Sequence, residues 1–126
     1  MSTTPRNSTA ALVWFALLGA PAAWTLQHVT GFGLTVASCE EAGKTAWHIS
    51  LDFWTIVASA ITLGVGILGV AASLLSLRRT RDAGTEPPGA RLRFLALVSV
   101  TTAPLVLCII VMSGVGVVLI SDCVQS

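Results

Sequence analysis

The chain has 126 residues, of which 54% are apolar and 10% charged, and its mean hydropathy is +0.84. These values lie outside the range of soluble globular domains and are typical of integral membrane proteins. Seven basic and six acidic side chains give a net charge of +1, so the composition predicts no basic surface for nucleic acid. The apolar runs leave too few residues for a separate catalytic domain, and we predict that the protein is not an enzyme.

Three long stretches without Asp, Glu, Lys or Arg predict three transmembrane helices. The first covers 10–38, the second about 48–77 with an uncharged run from residue 53, and the third 94–121. Each exceeds the ~20 residues that a helix needs to cross a ~30 Å hydrocarbon layer. The sequence therefore predicts an all-α integral membrane protein, with one transmembrane domain over 1–126 and a flexible, proline- and glycine-containing loop at 78–93.

Basic residues predict the orientation of the helices, because Lys and Arg in short loops are retained on the cytoplasmic side. Arg6 precedes the first span and five arginines lie between the second and third, whereas Lys44 alone lies in the other loop. We predict a cytoplasmic N-terminus, an outer C-terminus and a location in the cell inner (plasma) membrane. The five arginines are also candidates for contacts with anionic lipid headgroups or a partner, at about 1 kcal/mol each: Arg78, Arg79, Arg81, Arg91 and Arg93.

Small residues four positions apart predict close packing of helices within the membrane, where apolar burial offers little driving force. Such pairs occur in all three spans: Gly19 and Ala23, Gly33 and Ala37, Ala60 and Gly64, Gly69 and Ser73, Ser99 and Ala103. A closed three-helix bundle and a bundle completed by a partner both fit this pattern. The Ser and Thr residues form no obvious continuous stripe, which disfavours a pore.

Two of the three cysteines lie at predicted outer ends of helices. Cys39 ends the first span and Cys123 follows the third, on the oxidising side of the membrane, where disulfides persist. We predict a disulfide between them, with two free thiols as the alternative. Cys108 lies inside the third span and is predicted to behave as a small apolar side chain.

His28 is a candidate functional residue because an ionisable group at membrane depth is rarely incidental. It lies 11 residues before Cys39, and Met112 lies 11 before Cys123, so the two are predicted at the same depth. His and Met form a known axial pair for haem. The alternatives are a contact with a partner and a structural role, as a neutral imidazole hydrogen-bonded to a neighbour. We favour the structural role and predict no bound cofactor.

His48 and Asp52 are four residues apart at the start of the second span and share one side of a helix. Histidine and carboxylate ligate Zn or Cu when a third and a fourth ligand complete the site. The alternative, which we favour, is an ion pair between the two residues that anchors the start of the span.

The segment from Gly19 to Trp24, which contains Pro21, precedes Cys39 at the tip of the first span. A final span begins near Phe94 and leads to Cys123. This pattern resembles small bacterial multi-pass membrane proteins that accompany terminal-oxidase (cytochrome c oxidase type) respiratory systems. The resemblance implies a respiratory role and supplies no catalytic residues.

We therefore expect a non-catalytic accessory or structural subunit, or an assembly factor, of a larger membrane complex. The expected partners are the lipid bilayer and such a complex or further copies of the chain. One alternative is a small electron-transfer protein with a haem or metal ligand at His28. The other is an oligomeric channel or transporter component.

Overall fold

The fold is a bundle of three long α-helices, seen in a computed structural model that describes residues 5–39, 51–82 and 84–119. In chain order these are α1 (Pro5–Cys39), α2 (Leu51–Arg79) and α3 (Gly89–Leu119), and the described residues contain no strand. At 1.5 Å per residue the helices are about 52, 44 and 46 Å long, more than the ~30 Å hydrocarbon layer requires. All three are long and apolar enough to cross a membrane, which confirms the all-α, three-span fold.

The connection between α2 and α3 is shorter than the predicted loop over 78–93. A turn follows Arg79, in which the amide and hydroxyl of Thr80 both donate to the Ser76 carbonyl, at 2.9 and 2.8 Å. Gly84 adopts a left-handed conformation with φ of 75°, and α3 begins at Gly89. The predicted bounds of the loop were too wide, because an uncharged run gives only the part of a helix that crosses the hydrocarbon layer. A helix can continue beyond that layer through arginines, which are good helix formers.

Each helix packs against both others, and α2 runs antiparallel to α1 and α3. Along α1 and α2 the direction is fixed by two pairs of neighbours. Gly69 lies against Ala20, and the earlier α2 residue Ser59 accepts a hydrogen bond from the later α1 residue Gln27. The bundle thus has two distinct ends. We call the end where α1 finishes at Cys39 the Cys39 end, and the end with the α2–α3 connection the arginine end.

A seam of residues spaced alternately three and four apart forms the core of each helix. On α1 and α3 the fully buried members are small or β-branched, with relative exposures of 0–2%: Val13, Ala16, Ala20, Ala96, Ser99, Ala103 and Ile110. This spacing averages 3.5 residues, the period of left-handed coiled coils. The small side chains allow the backbones to approach closely, as membrane helix packing requires.

The seam of α2, continued by Thr80 in the turn after it, consists of glycine, serine and threonine, and the buried Ala72 lies beside it. Six consecutive members are buried, and two more at the Cys39 end are half-buried: Thr55, Ser59, Thr62, Gly66, Gly69, Ser73, Ser76 and Thr80. Gly66 and Gly69 divide the hydroxyl groups of this seam into two sets. The buried hydroxyls of Ser73 and Ser76 donate to carbonyls three residues earlier on α2, at 2.7 and 2.8 Å. They are thereby satisfied inside their own helix and act as small packing residues.

Large apolar side chains cover the outside of the bundle. Phe32, Leu105 and Val118 are exposed by 74%, 66% and 74%. In water such a surface would drive aggregation, whereas in a bilayer it faces lipid tails of equal polarity. The surface therefore fits direct contact with the lipid bilayer.

Candidate functional site

A polar groove lies between all three helices near the Cys39 end of the bundle, and we call it the polar groove throughout. Its volume is about 360 Å³, at the lower end of the size range of small-molecule sites. The polar members of its wall come from every helix: Gln27, His28, Thr30 and Thr35 on α1, Thr55 and Ser59 on α2, and Ser113 on α3.

One hydrogen bond between helices organises the groove. The amide Nε2 of Gln27 donates to the hydroxyl oxygen of Ser59 over 3.0 Å, and the pair is partly buried. Gln27 is placed there because it continues the α1 seam, seven residues after Ala20, and Ser59 belongs to the α2 seam. A polar pair at this depth joins α1 to α2 at a defined register, in the way polar residues join other membrane helices.

Two buried polar atoms beside this pair have no hydrogen-bond partner within the described part of the chain. They are the side-chain oxygen Oε1 of Gln27 and the indole nitrogen Nε1 of Trp24. A buried polar atom without a partner is costly, and most costly where no bulk water can reach it. Gln27 therefore carries a buried acceptor that no described group of the chain uses.

His28 lies on the wall of the polar groove and is exposed at the bundle surface. Its ring packs against that of Trp24, one helical turn earlier, with centroids 4.5 Å apart and planes tilted by 45°. The nearby hydroxyls of Thr25 and Thr62 donate to the Pro21 and Ala58 carbonyls of their own helices.

Met112 lies near the level of His28, since its chain neighbour Ser113 lines the polar groove. Its side chain is 72% exposed and is not part of the groove wall around His28. The structure thus brings the two predicted haem ligands to a similar height without placing both side chains on one cavity. Their pairing as axial ligands stays a prediction.

The predicted metal and disulfide residues fall largely outside the described residues. Asp52 is the second residue of α2 and Cys39 the last of α1, whereas His48 and Cys123 lie beyond the described ranges. Within the ranges 5–39, 51–82 and 84–119, no group of three or more metal-ligating side chains is found. Cys108 is a free, exposed thiol on α3. The Cys39–Cys123 disulfide and the His48–Asp52 pair stay predictions.

The five predicted arginines gather at the arginine end and are all exposed. Two form the last turn of α2, one lies in the following turn, and two lie in the first turns of α3: Arg78, Arg79, Arg81, Arg91 and Arg93. Four of the five are therefore helical, and their side chains extend from helix ends, where long basic side chains reach a headgroup layer.

Replacing Ser59 by alanine is expected to destabilise the bundle, because the Gln27 amide then loses its partner on α2. The expected loss is about 0.6 kcal/mol and at most about 1.7 kcal/mol, the range for hydrogen bonds between membrane helices. Thr62→Val is the matched control, since the Thr62 hydroxyl bonds only within α2, to the Ala58 carbonyl. The stability of both variants is measured by unfolding the purified protein in sodium dodecyl sulfate while tryptophan fluorescence is recorded. Equal midpoints would show that the Gln27–Ser59 contact does not stabilise the bundle.

No protein-family model matches the chain, and no similar curated protein or solved structure is found. The resemblance to companions of terminal-oxidase systems thus stays a prediction.

Proposed function

We propose that the protein is a non-catalytic accessory or structural subunit, or an assembly factor, of a larger membrane complex. The observation that carries the proposal is a second, apolar groove on the outside of α2 and α3, which we call the apolar groove. Its volume is about 400 Å³, and Ala60 of α2 and Gly114 of α3 lie in its wall between larger apolar side chains such as Leu63 and Val118.

The small residues of the apolar groove are not required by packing inside the bundle. Ala60 is exposed, and a Cβ added at Gly114 would meet no atom within 4 Å. Lipid tails adapt to any apolar side chain, whereas a neighbouring helix packs most closely against small ones. A groove with small residues in its wall therefore supports the approach of a transmembrane helix from a partner protein.

The two alternatives receive less support from the geometry. An electron-transfer protein would draw on His28, and Met112 does not share the groove wall with it. A channel would draw on the hydroxyls of the α2 seam, but the buried ones donate to carbonyls of their own helix. A respiratory identity of the complex rests on the resemblance noted in the sequence.

The proposed orientation places the arginine end in the cytoplasm and the Cys39 end outside, in the plasma membrane. Its support is the concentration of five exposed arginines at one end of the bundle. Basic residues close to helix ends are retained on the cytoplasmic side during insertion. The polar groove would then open near the outer surface.

Ala60→Leu is expected to abolish or strongly weaken association with the partner, because the larger side chain fills the apolar groove. Ala71→Leu is the matched control, since Ala71 is also an exposed alanine of α2 but does not line that groove. Both variants and the wild type are purified from the native membrane in a mild detergent, and the co-purifying proteins are quantified by mass spectrometry. The proposal predicts a partner that is retained by the wild type and Ala71→Leu and lost by Ala60→Leu. Equal retention by both variants would contradict it.

A further inference from the structure

The polar groove extends from the helix ends into the membrane. Gln27 lies twelve residues before the end of α1, and Thr55 four residues after the start of α2. At 1.5 Å per residue the groove thus spans depths of about 6 to 18 Å from the Cys39 end. His28, Thr30 and Phe32 on its wall are exposed at the bundle surface, so it opens sideways towards lipid.

The described wall of the polar groove contains hydroxyl, amide and imidazole groups and no Asp, Glu, Lys or Arg. The remaining members are glycines and apolar side chains, among them Leu34 and Val117. A phosphate or carboxylate head would find no fixed countercharge among these residues, and burying it there would be expensive. The described wall therefore fits an uncharged polar group attached to an apolar tail.

A hydroxyl on a bound molecule both donates and accepts, so it can exchange hydrogen bonds with the hydroxyl and imidazole groups of the wall.

Two glycines on different helices leave room for this group. A Cβ added at Gly31 of α1 or at Gly116 of α3 would meet no atom within 4 Å, and both residues line the polar groove. Larger side chains at these two positions would extend into free space, which would close the groove without disturbing the contacts between the helices.

We propose that the polar groove binds the uncharged, hydroxyl-bearing head of a membrane-soluble amphiphile, with the head hydroxyl exchanging hydrogen bonds with the hydroxyl and imidazole groups of the wall and the tail lying in the lipid. Two sources carry this chemistry: a diacylglycerol and a quinol with an apolar tail. The polar groove shares Ser59 with the apolar groove, but binding of the amphiphile does not depend on the proposed partner.

The test measures saturable binding to the purified full chain in a zwitterionic detergent, because a non-ionic detergent with a hydroxyl-bearing head would compete for the groove. The probes are 1,2-dioctanoylglycerol, a decyl-substituted benzoquinol, and dioctanoylphosphatidylcholine as the charged-head comparison, each titrated while the thermal unfolding midpoint is recorded. A ligand that binds the folded state raises this midpoint. At least one hydroxyl probe is expected to raise it saturably, with no such effect of the phosphatidylcholine. The probe that binds identifies the source, and failure of both would overturn the proposal.

The variants locate the site. Gly31→Leu is expected to weaken binding at least about tenfold, equivalent to about 1.4 kcal/mol, because the leucine occupies the groove. Gly33→Leu is the matched control, since Gly33 is equally open, lies two residues away on α1 and is not on the groove wall. Gly116→Leu repeats the test from α3, and unfolding midpoints without probe confirm that each variant is folded. Equal binding by Gly31→Leu and Gly33→Leu would overturn the assignment to this groove.

Discussion

Replacing Gly69 by leucine is expected to destabilise the bundle by roughly 1–3 kcal/mol, the usual cost of inserting extra carbon atoms into a packed core. A Cβ added at Gly69 would lie 3.4 Å from the Cβ of Ala20 and 4.0 Å from its backbone nitrogen. One carbon atom therefore just fits, and the three further carbons of leucine do not. Because the facing atoms belong to a short side chain and a backbone, they cannot rotate away, and α1 and α2 must separate.

The contrast with Gly66 on the same seam shows why Gly69 is the sharper test. A Cβ at Gly66 would lie 3.0 Å and 3.1 Å from the Cδ1 atoms of Leu107 and Ile110. These are the ends of flexible side chains, which can adopt other rotamers at modest cost. Gly69 instead faces Ala20, which has no rotamers.

Unfolding by sodium dodecyl sulfate, followed by tryptophan fluorescence, measures the loss of stability in Gly69→Leu. Gly64→Leu is the matched control, because Gly64 is exposed on the same helix and a Cβ there would meet nothing within 4 Å. Gly69→Ala should lie close to the wild type, since its Cβ makes an ordinary van der Waals contact. Equal midpoints for Gly69→Leu and Gly64→Leu would show that α1 and α2 do not meet at Gly69.

Pairs of small residues predicted the contacts between helices only in part. Ser73 and Ala103, from two of the predicted pairs, are 1% exposed, and Gly69 is buried against Ala20. Ala60 and Gly64, an equally good pair in the sequence, are exposed. The spacing of a pair of small residues shows that a second helix could approach closely there. It does not show on which face of the helix that neighbour lies. A seam that continues at intervals of three and four over several turns carries that additional information.

The hydrogen bond between α1 and α2 is made one residue before the histidine that the sequence indicated. An ionisable residue within a membrane span is a candidate functional residue, and the sequence indicated His28 for that reason. The hydrogen bond between helices is made by Gln27, and His28 lies beside it, against Trp24. Successive residues of an α-helix differ by about 100° in direction, so a neighbour in sequence lies on a different face. Gln27 could have been identified from its position on the α1 seam, whereas the groove volume depends on the side chains of all three helices.

Replacing all five arginines of the arginine end by alanine is expected to abolish the single orientation of the protein in the membrane. The wild type has six basic residues on the predicted inner side, the five arginines and Arg6 at the start of α1, and one, Lys44, in the other connection. The substitutions leave Arg6 against Lys44. With equal numbers on both sides, the bias that sets orientation is lost, and we expect a mixed population.

The measurement uses alkaline phosphatase and green fluorescent protein fused separately to the C-terminus, because the former is active outside and the latter fluoresces inside. The wild type should give phosphatase activity without fluorescence, and the alanine variant should give both. Substitution of the same five arginines by lysine is the matched control and should preserve the wild-type result, since charge rather than guanidinium chemistry sets orientation. Fluorescence of the wild-type fusion would place the C-terminus inside and contradict the proposed orientation. A single orientation in the alanine variant would show that these arginines do not set the orientation of the protein.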